Sequence, residues 1–392
     1  MKKRMIIIHS NMELGGAETS LLGFMQALDP QKVDVDLLLF ECRGALIDRV
    51  PQYVRVLPED RKYQCLMIPI KQVLIRGNFL IAMARLIGRY KARNEQNRSY
   101  MTKLFSQKQA VRYLPCVEQE YDLAVSFIDP HFFMCEKVKS NIKMGWLHMD
   151  YSRICLKDAI DFSMWNACDW IVHVSKKCEE NFLAKHGSLK NKSLVIENIL
   201  SEPMIFERSH EPIKKGEVKM RGLRLLSIGR FSFLKNFTNI PQICKLIVDK
   251  GFDVSWYIIG YGEEEDAIRR NILLLNMENN VIILGKKENP YPYIKACDIY
   301  VQPSHSEGKS VAVREAQLLG KPVVITDFPT ANNQLENGVD GVIVPLDNEG
   351  CSNGIVDLAK NKELMKQLSE NCLKRNYSNT EEIGKIYELI GV

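Results

Sequence analysis

Glu307-Gly-Lys-Ser-Val-Ala-Val-Arg-Glu315 sets two carboxylates eight positions apart, and its flanks decide the fold. Ahead of it, Asp298-Ile-Tyr-Val-Gln302 reads as a buried strand. Behind it, Val311–Leu319 has helical spacing and closes on Gly320-Lys321-Pro322, a helix stop. Strand, Gly-containing turn and helix follow in order. That arrangement aims free backbone N–H groups and the positive end of the helix dipole at the turn, which suits a phosphate. Were the whole segment helical, the carboxylates would lie about 12 Å apart along the axis. They could not share a proton, but they could grip the two ends of an elongated ligand such as a sugar nucleotide.

Two further segments repeat the pattern. Leu225-Leu-Ser-Ile-Gly-Arg230 is a strand entering a turn, followed by Phe231-Ser-Phe-Leu-Lys235-Asn236. Arg230 offers a planar fork of donors and Lys235 a point charge, both at the carboxyl end of a strand, where open α/β sheets bind ligands. Met5-Ile-Ile-Ile-His9 leads to Gly15-Gly16-Ala17-Glu18, again strand, glycine turn and helix, and paired glycines allow a ligand close to the backbone. Gly260-Tyr-Gly262 lacks a third glycine and precedes four acids, Glu263 to Asp266, so it is read as a structural turn.

At 392 residues the chain exceeds a single core, and two domains are expected. Strands near 5–9, 35–40, 123–127, 143–147, 171–174 and 194–196 alternate with helical segments through residue 201. The alternation resumes at 223 with strands near 255–259, 281–284, 299–302, 323–326 and 341–344. That is the βαβ order of doubly wound parallel sheets. The expected division is 1–201, a linker over 202–222 carrying Pro203 and Pro212, 223–380, and a C-terminal helix over 381–392. The 11 cysteines show no Cys-x-x-Cys and no spacing with histidine, which argues against a zinc site or a disulfide framework and for a reducing, cytoplasmic setting. The apolar run after Met1-Lys-Lys-Arg4 stops at His9 and is read as a strand rather than a signal peptide. No apolar stretch reaches membrane-spanning length.

Charge is uneven. Through Leu200 there are 29 Lys and Arg against 22 Asp and Glu, and beyond it 24 against 26. Residues 71–112 hold ten of the cations and one acid, Glu95, with Phe79, Leu80, Met83, Leu86 and Ile87 at helical spacing beside them. Such a segment can lie on an anionic membrane surface or be an ordinary solvated helix. Aromatic residues are too sparse for nucleic acid.

Taken together, the glycine loop at Gly15-Gly16, Trp146-Leu-His148, Gly229-Arg230 with Lys235, and the Glu307/Glu315 pair resemble glycosyltransferase family 4. These are retaining nucleotide-sugar enzymes of the GT-B fold, with two facing Rossmann-like domains and a cleft between them. Asn289-Pro-Tyr-Pro-Tyr through Glu307-Gly-Lys-Ser310 looks like the branch that builds bacterial capsule and exopolysaccharide. The resemblance implies a nucleoside-diphosphate sugar as donor, a UDP-sugar by default, and a polysaccharide or lipid-linked saccharide as acceptor. It implies that the C-terminal helix crosses back to the first domain, and that the work is done at the inner face of the cell membrane. It assigns the diphosphate to Arg230 and Lys235, with backbone donors from Lys309, Ser310 and Val311. It places donor-sugar hydroxyls on Glu307, the ribose on Glu315, and His148 beside the sugar. His305 is left as a bystander. Many members carry a bulky apolar residue after Glu307-Gly308 where this chain has Lys309-Ser310, which leaves the sugar unassigned. No Asp-x-Asp pair at a strand end is positioned to hold a metal, so neither metal nor cofactor is expected. A nucleotide-sugar 2-epimerase of the same fold and a non-catalytic sugar-nucleotide-binding partner subunit remain the alternatives.

Overall fold

The computed structural model describes residues 2–154, 159–219 and 221–392. Cys155, one of the eleven cysteines, and Met220, near the end of the expected linker, lie outside the described residues. The chain divides into two compact units, Met1–Ile199 with Thr380–Val392, and Leu200–Asn379.

The first unit is built on seven strands: β1 (Lys3–His9), β2 (Val33–Leu39), β3 (Arg55–Val56), β4 (Glu120–Ser126), β5 (Lys139–Leu147), β6 (Trp170–His173) and β7 (Ser193–Val195). They lie in the order β3-β2-β1-β4-β5-β6-β7, every neighbouring pair parallel. Helices cover both faces of a parallel sheet, which is why Met5, Ile6 and Ile7 are all fully buried rather than alternating in and out. Strand β3 was not read from the sequence. It has two residues, both exposed, and so is too short to show an apolar pattern. The helix Ile383–Ile390 belongs to this unit: Tyr387 OH accepts from the Asp29 amide at 2.6 Å, and Lys385 donates to Val195 O at 2.9 Å.

The second unit has six strands, β8 (Leu223–Ile228), β9 (Val254–Ile259), β10 (Val281–Gly285), β11 (Ile299–Gln302), β12 (Val323–Thr326) and β13 (Val342–Val344), in the order β10-β9-β8-β11-β12-β13, again all parallel. Successive side chains point to opposite faces of a strand. Leu225 accordingly joins one apolar cluster with Trp256 and Val301, and Leu226 another with Tyr257 and Tyr300. The stretch expected as linker opens instead with a helix, Glu202–Arg208, whose Ile205 is buried in the second of these clusters. Pro203 is at home there because the first turn of a helix needs no N–H.

Each sheet reverses its winding direction once, between β1 and β4 in the first unit and between β8 and β11 in the second. At such a reversal the loops diverge and leave a crevice at the carboxyl ends of the strands. Gly15 and Gly16 follow β1, Arg230 and Lys235 follow β8, and Glu307 follows β11, whereas His148 follows β5.

Candidate functional site

In the second unit, the loops after β8 and β11 are stapled together. Lys235 Nζ donates to both carboxylate oxygens of Glu307, at 2.6 and 2.8 Å. Ser304 Oγ donates to Glu307 Oε1 at 2.6 Å, and Gln302, itself held by Tyr300 OH at 2.8 Å, donates to Ser304 Oγ at 2.9 Å. Thr330 Oγ1 ties the Glu307 carbonyl at 2.7 Å. Asn236, in the left-handed region at φ 59°, donates to Pro303 O at 3.0 Å. Glu307 is thus a positioned carboxylate with its side chain 9% exposed. Arg230, one turn away on the β8 loop, is exposed and has no hydrogen bond or ion pair among the described residues. A free donor fork on the same loop as a positioned Lys–Glu pair is suited to a polyanion.

The turn carrying Arg230 is braced by the glycines read as structural. Gly260 and Gly262 have φ of +150° and +159°, and a Cβ on Gly260 would stand 1.9 Å from Gly229 O. The Phe231 amide donates to Tyr261 O at 2.9 Å.

Glu315 lies on the helix Val311–Leu318, facing inward and 5% exposed. Tyr291 OH donates to its Oε1 at 3.1 Å. Burial raises its pKa from 4.5 to about 7, with the Tyr291 hydrogen bond and the charge of Arg208 pulling the other way. Tyr291 belongs to the Asn289-Pro-Tyr-Pro-Tyr stretch, but its role as partner of Glu315 could not be read from spacing alone. Because the helix begins at Val311, Glu307 precedes it. The separation along a continuous helix therefore does not apply to the two carboxylates.

The loop before this helix is less open than the sequence implied. Lys309, Ser310 and Val311 are buried, and the Ser310 amide already donates to Gln334 Oε1 at 2.6 Å, while Gln334 Nε2 returns to Ser310 O at 3.3 Å. The Ser310 N–H is therefore engaged rather than exposed to a phosphate. Gln334 was missed because it is 24 residues downstream.

In the first unit, His148 follows β5 and its ring lies 4.9 Å from that of Phe127 and 6.5 Å from that of Trp146, stacked on the latter. Burial lowers its pKa from 6.5 to about 3, and the nearby His9 pushes the same way. It is a neutral imidazole whose Nε2 is buried without a partner. His9, at the end of β1, is fully buried, with Nε2 3.3 Å from Glu18 Oε1. Gly15 caps the helix Gly16–Ala27, and the Glu18 carboxylate sits over it, so that a Cβ on Gly15 would lie 2.3 Å from Glu18 Oε2. The glycine turn, expected to admit a ligand close to the backbone, is packed here against the chain's own carboxylate. An anionic ligand would have to displace Glu18.

Residues 209–375 match the sequence profile of the family described as glycosyl transferases group 1. The matched residues take in most of the second unit. This is the family-4 likeness carried by Arg230, Lys235, Glu307 and Glu315. Over 243 residues the chain is 25% identical to UDP-Gal:alpha-D-GlcNAc-diphosphoundecaprenol alpha-1,3-galactosyltransferase of Escherichia coli, covering 56% of this chain and 62% of the relative. Over 222 residues it is 28% identical to the capsular polysaccharide biosynthesis glycosyltransferase CapM of Staphylococcus aureus, covering 54% and 58%. The chain spans about half the length of the curated relatives it matches. Among solved structures, S. aureus TarM in complex with Fondaparinux, alpha-GlcNAc-glycerol and UDP superposes over 100% of both chains with a TM-score of 0.72 at 14% identity. Anabaena HepE in complex with UDP and glucose superposes over 98% of this chain and 99% of its own, with a TM-score of 0.68 at 17% identity. The fold is GT-B, two Rossmann-like domains with parallel sheets.

Proposed function

We propose that the protein is a retaining glycosyltransferase that moves a sugar from a nucleoside diphosphate onto a cell-surface polysaccharide intermediate carried on a lipid, at the inner face of the membrane. The observation that carries this reading is the Arg230, Lys235 and Glu307 constellation at the winding reversal of the unit that matches the group 1 glycosyl transferase profile. Two relatives are named for capsule or diphosphoundecaprenol-linked sugar transfer, and two neighbours of the same fold hold UDP, which supports a UDP-sugar as donor.

In this reading Arg230 and Lys235 take the diphosphate, Glu307 the sugar hydroxyls and Glu315 the ribose. Lys235 exchanges part of its contact with Glu307 for phosphate oxygen, freeing a Glu307 oxygen to accept from a sugar hydroxyl. His148, held neutral, keeps an unused Nε2 for a hydroxyl near the reacting carbon. The bond from the anomeric carbon to phosphate oxygen breaks, and the electron pair leaves with the nucleoside diphosphate. The acceptor oxygen bonds to the same face of that carbon, and its proton passes to the departing phosphate. Stabilising the leaving charge and holding both reactants in place are the main demands on the protein. No metal or cofactor has a part in this scheme.

The test is thermal-shift titration of the purified protein with UDP, GDP, ADP and their sugar conjugates, beside an Arg230→Ala/Lys235→Ala variant. A shift with one nucleotide series that the variant loses is expected. Isomerisation of the donor without acceptor would instead indicate a 2-epimerase. Binding without turnover in the presence of lipid-linked acceptors would indicate a non-catalytic partner.

A further inference from the structure

The cationic stretch 71–112 folds as three helices, Ile70–Ile75, Phe79–Lys91 and Arg98–Ala110. The middle one is packed inside out. Its inward residues are mostly small, Ala82, Ala84 and Gly88 with Ile81, and Gly88 lets the third helix in so closely that a Cβ there would stand 2.5 Å from Ser106 Cα. Its large apolar side chains face solvent instead: Phe79 is 64% exposed, Leu80 57%, Met83 56%, Leu86 49%, Ile87 43% and Tyr90 63%. Projected on a helix these six form a stripe about 120° wide. A helix of a soluble domain ordinarily turns such a stripe to the core, and a contiguous exposed patch marks a docking surface.

Charge identifies the occupant. Lys91 and Arg89, both exposed, flank the stripe, about 20° and about 60° beyond its edges, and Arg93 lies over the Tyr90 ring with its guanidinium carbon 4.1 Å from the centroid. Ile75, 75% exposed, and Arg76 close the preceding helix, where Arg76 donates to Gln64 Oε1. Not every cation of the stretch contributes: Arg85 turns inward and donates to Cys65 O at 2.6 Å. A second copy of so basic a face would be repelled. An apolar stripe edged by cations matches the headgroup boundary of an anionic bilayer.

We infer that the outer face of the Phe79–Lys91 helix is a monotopic docking surface for anionic lipid, inserted along its axis without crossing the bilayer. The inference rests on the lipid-linked acceptor reading for its purpose, but the surface itself carries the docking. Tyr100, on the third helix, hydrogen-bonds Tyr151 OH at 2.8 Å and Asp161 Oδ1 at 2.6 Å. The docked helices are thereby tied to the loop that follows His148.

The test is co-sedimentation of the full chain with vesicles of phosphatidylglycerol and phosphatidylcholine, and with phosphatidylcholine alone. The variants are Phe79→Ser/Met83→Ser/Ile87→Ser and Arg89→Glu/Lys91→Glu, each also checked for its nucleotide thermal shift and its mass in solution. Binding is expected only to the anionic vesicles, and each variant should bind at least tenfold more weakly while keeping the shift. Equal binding to both vesicle types, unchanged binding by the variants, or no binding at all overturns the inference. So does a wild-type dimer that the apolar variant makes monomeric, which would assign the face to self-association. Loss of docking with an intact nucleotide shift leaves the glycosyltransferase reading standing; docking without any shift does the reverse.

Discussion

Lys235 Nζ stands 2.6 Å from Oε1 and 2.8 Å from Oε2 of Glu307, although 72 residues separate the two in the chain. The pair joins the β8 and β11 loops at the reversal of the second sheet, with side chains 23% and 9% exposed. Removing either partner leaves a largely desolvated charge, at roughly 1–3 kcal/mol. Lys235→Ala and Glu307→Ala should each lower the midpoint of guanidinium unfolding, and the double variant should lose less than the sum. Additive losses would mean that the two groups do not interact in solution.

Glu315→Gln should separate stability from function. The carboxyl's folded-state pKa is raised from 4.5 to about 7 by burial. The stability it contributes is therefore complete below about pH 4.5 and is lost as pH rises through about 7, on the order of 3 kcal/mol in all. A neutral amide keeps an oxygen for Tyr291 OH and escapes that loss. Denaturation measured across this range should find the variant more stable than the parent above pH 7, yet without nucleoside affinity. A variant no more stable at alkaline pH would show Glu315 to be solvated after all.

The first unit should be acid-sensitive. His131 and His148 both have pKa values depressed from 6.5 to about 3, chiefly by burial, with His148 acting on His131 and His9 on His148. Depressed bases contribute stability that is present above pH 6.5 and lost as pH falls towards 3. His148→Asn should flatten the slope of stability against pH over that window. In the proposed reaction it should also lower kcat by about a hundredfold. An unchanged slope would place His148 in water.

Gly260→Ala tests the brace beneath Arg230. The new Cβ would meet Gly229 O at 1.9 Å in a backbone at φ +150°, whereas Gly251, at φ +87°, has nothing within 4 Å. Gly251→Ala should cost about 1 kcal/mol from backbone strain alone. Gly260→Ala should cost roughly 3 kcal/mol or more and weaken UDP binding, because the displaced turn carries Arg230. Equal costs in guanidinium melts would remove the brace from the argument.

Local pattern made most of the architecture legible. Runs such as Met5-Ile-Ile-Ile8 and Val323-Val-Ile-Thr326 have the length and the continuous apolar character of strands buried on both faces, and each is a strand. The two-residue strand β3 and the helix at Glu202–Arg208 were hidden, because one is too short to show a periodic pattern and the other lies among prolines and charges that resemble a linker. Candidate residues were legible where chemistry and strand ends coincide, as at Arg230 and Glu307. Ser304 and Gln334, which hold Glu307 and Ser310, carry no marking of their own, and Tyr291, though in a marked stretch, gives no sign that it pairs with Glu315.

Sequence by itself determined the two parallel sheets, the loops that carry Arg230, Lys235, Glu307 and His148, and the cationic character of 71–112, since hydrophobic period and turn chemistry are local properties. Only tertiary structure decided that Lys235 pairs with Glu307, that Glu315 is buried against Tyr291, that Glu18 fills the glycine turn, and that the Phe79–Lys91 helix turns its large apolar side chains outward. The physical reason is the same in each case. Charge pairing, desolvation and the choice of which helix face is buried depend on residues distant in the chain, and those neighbours exist only once the sheets have formed.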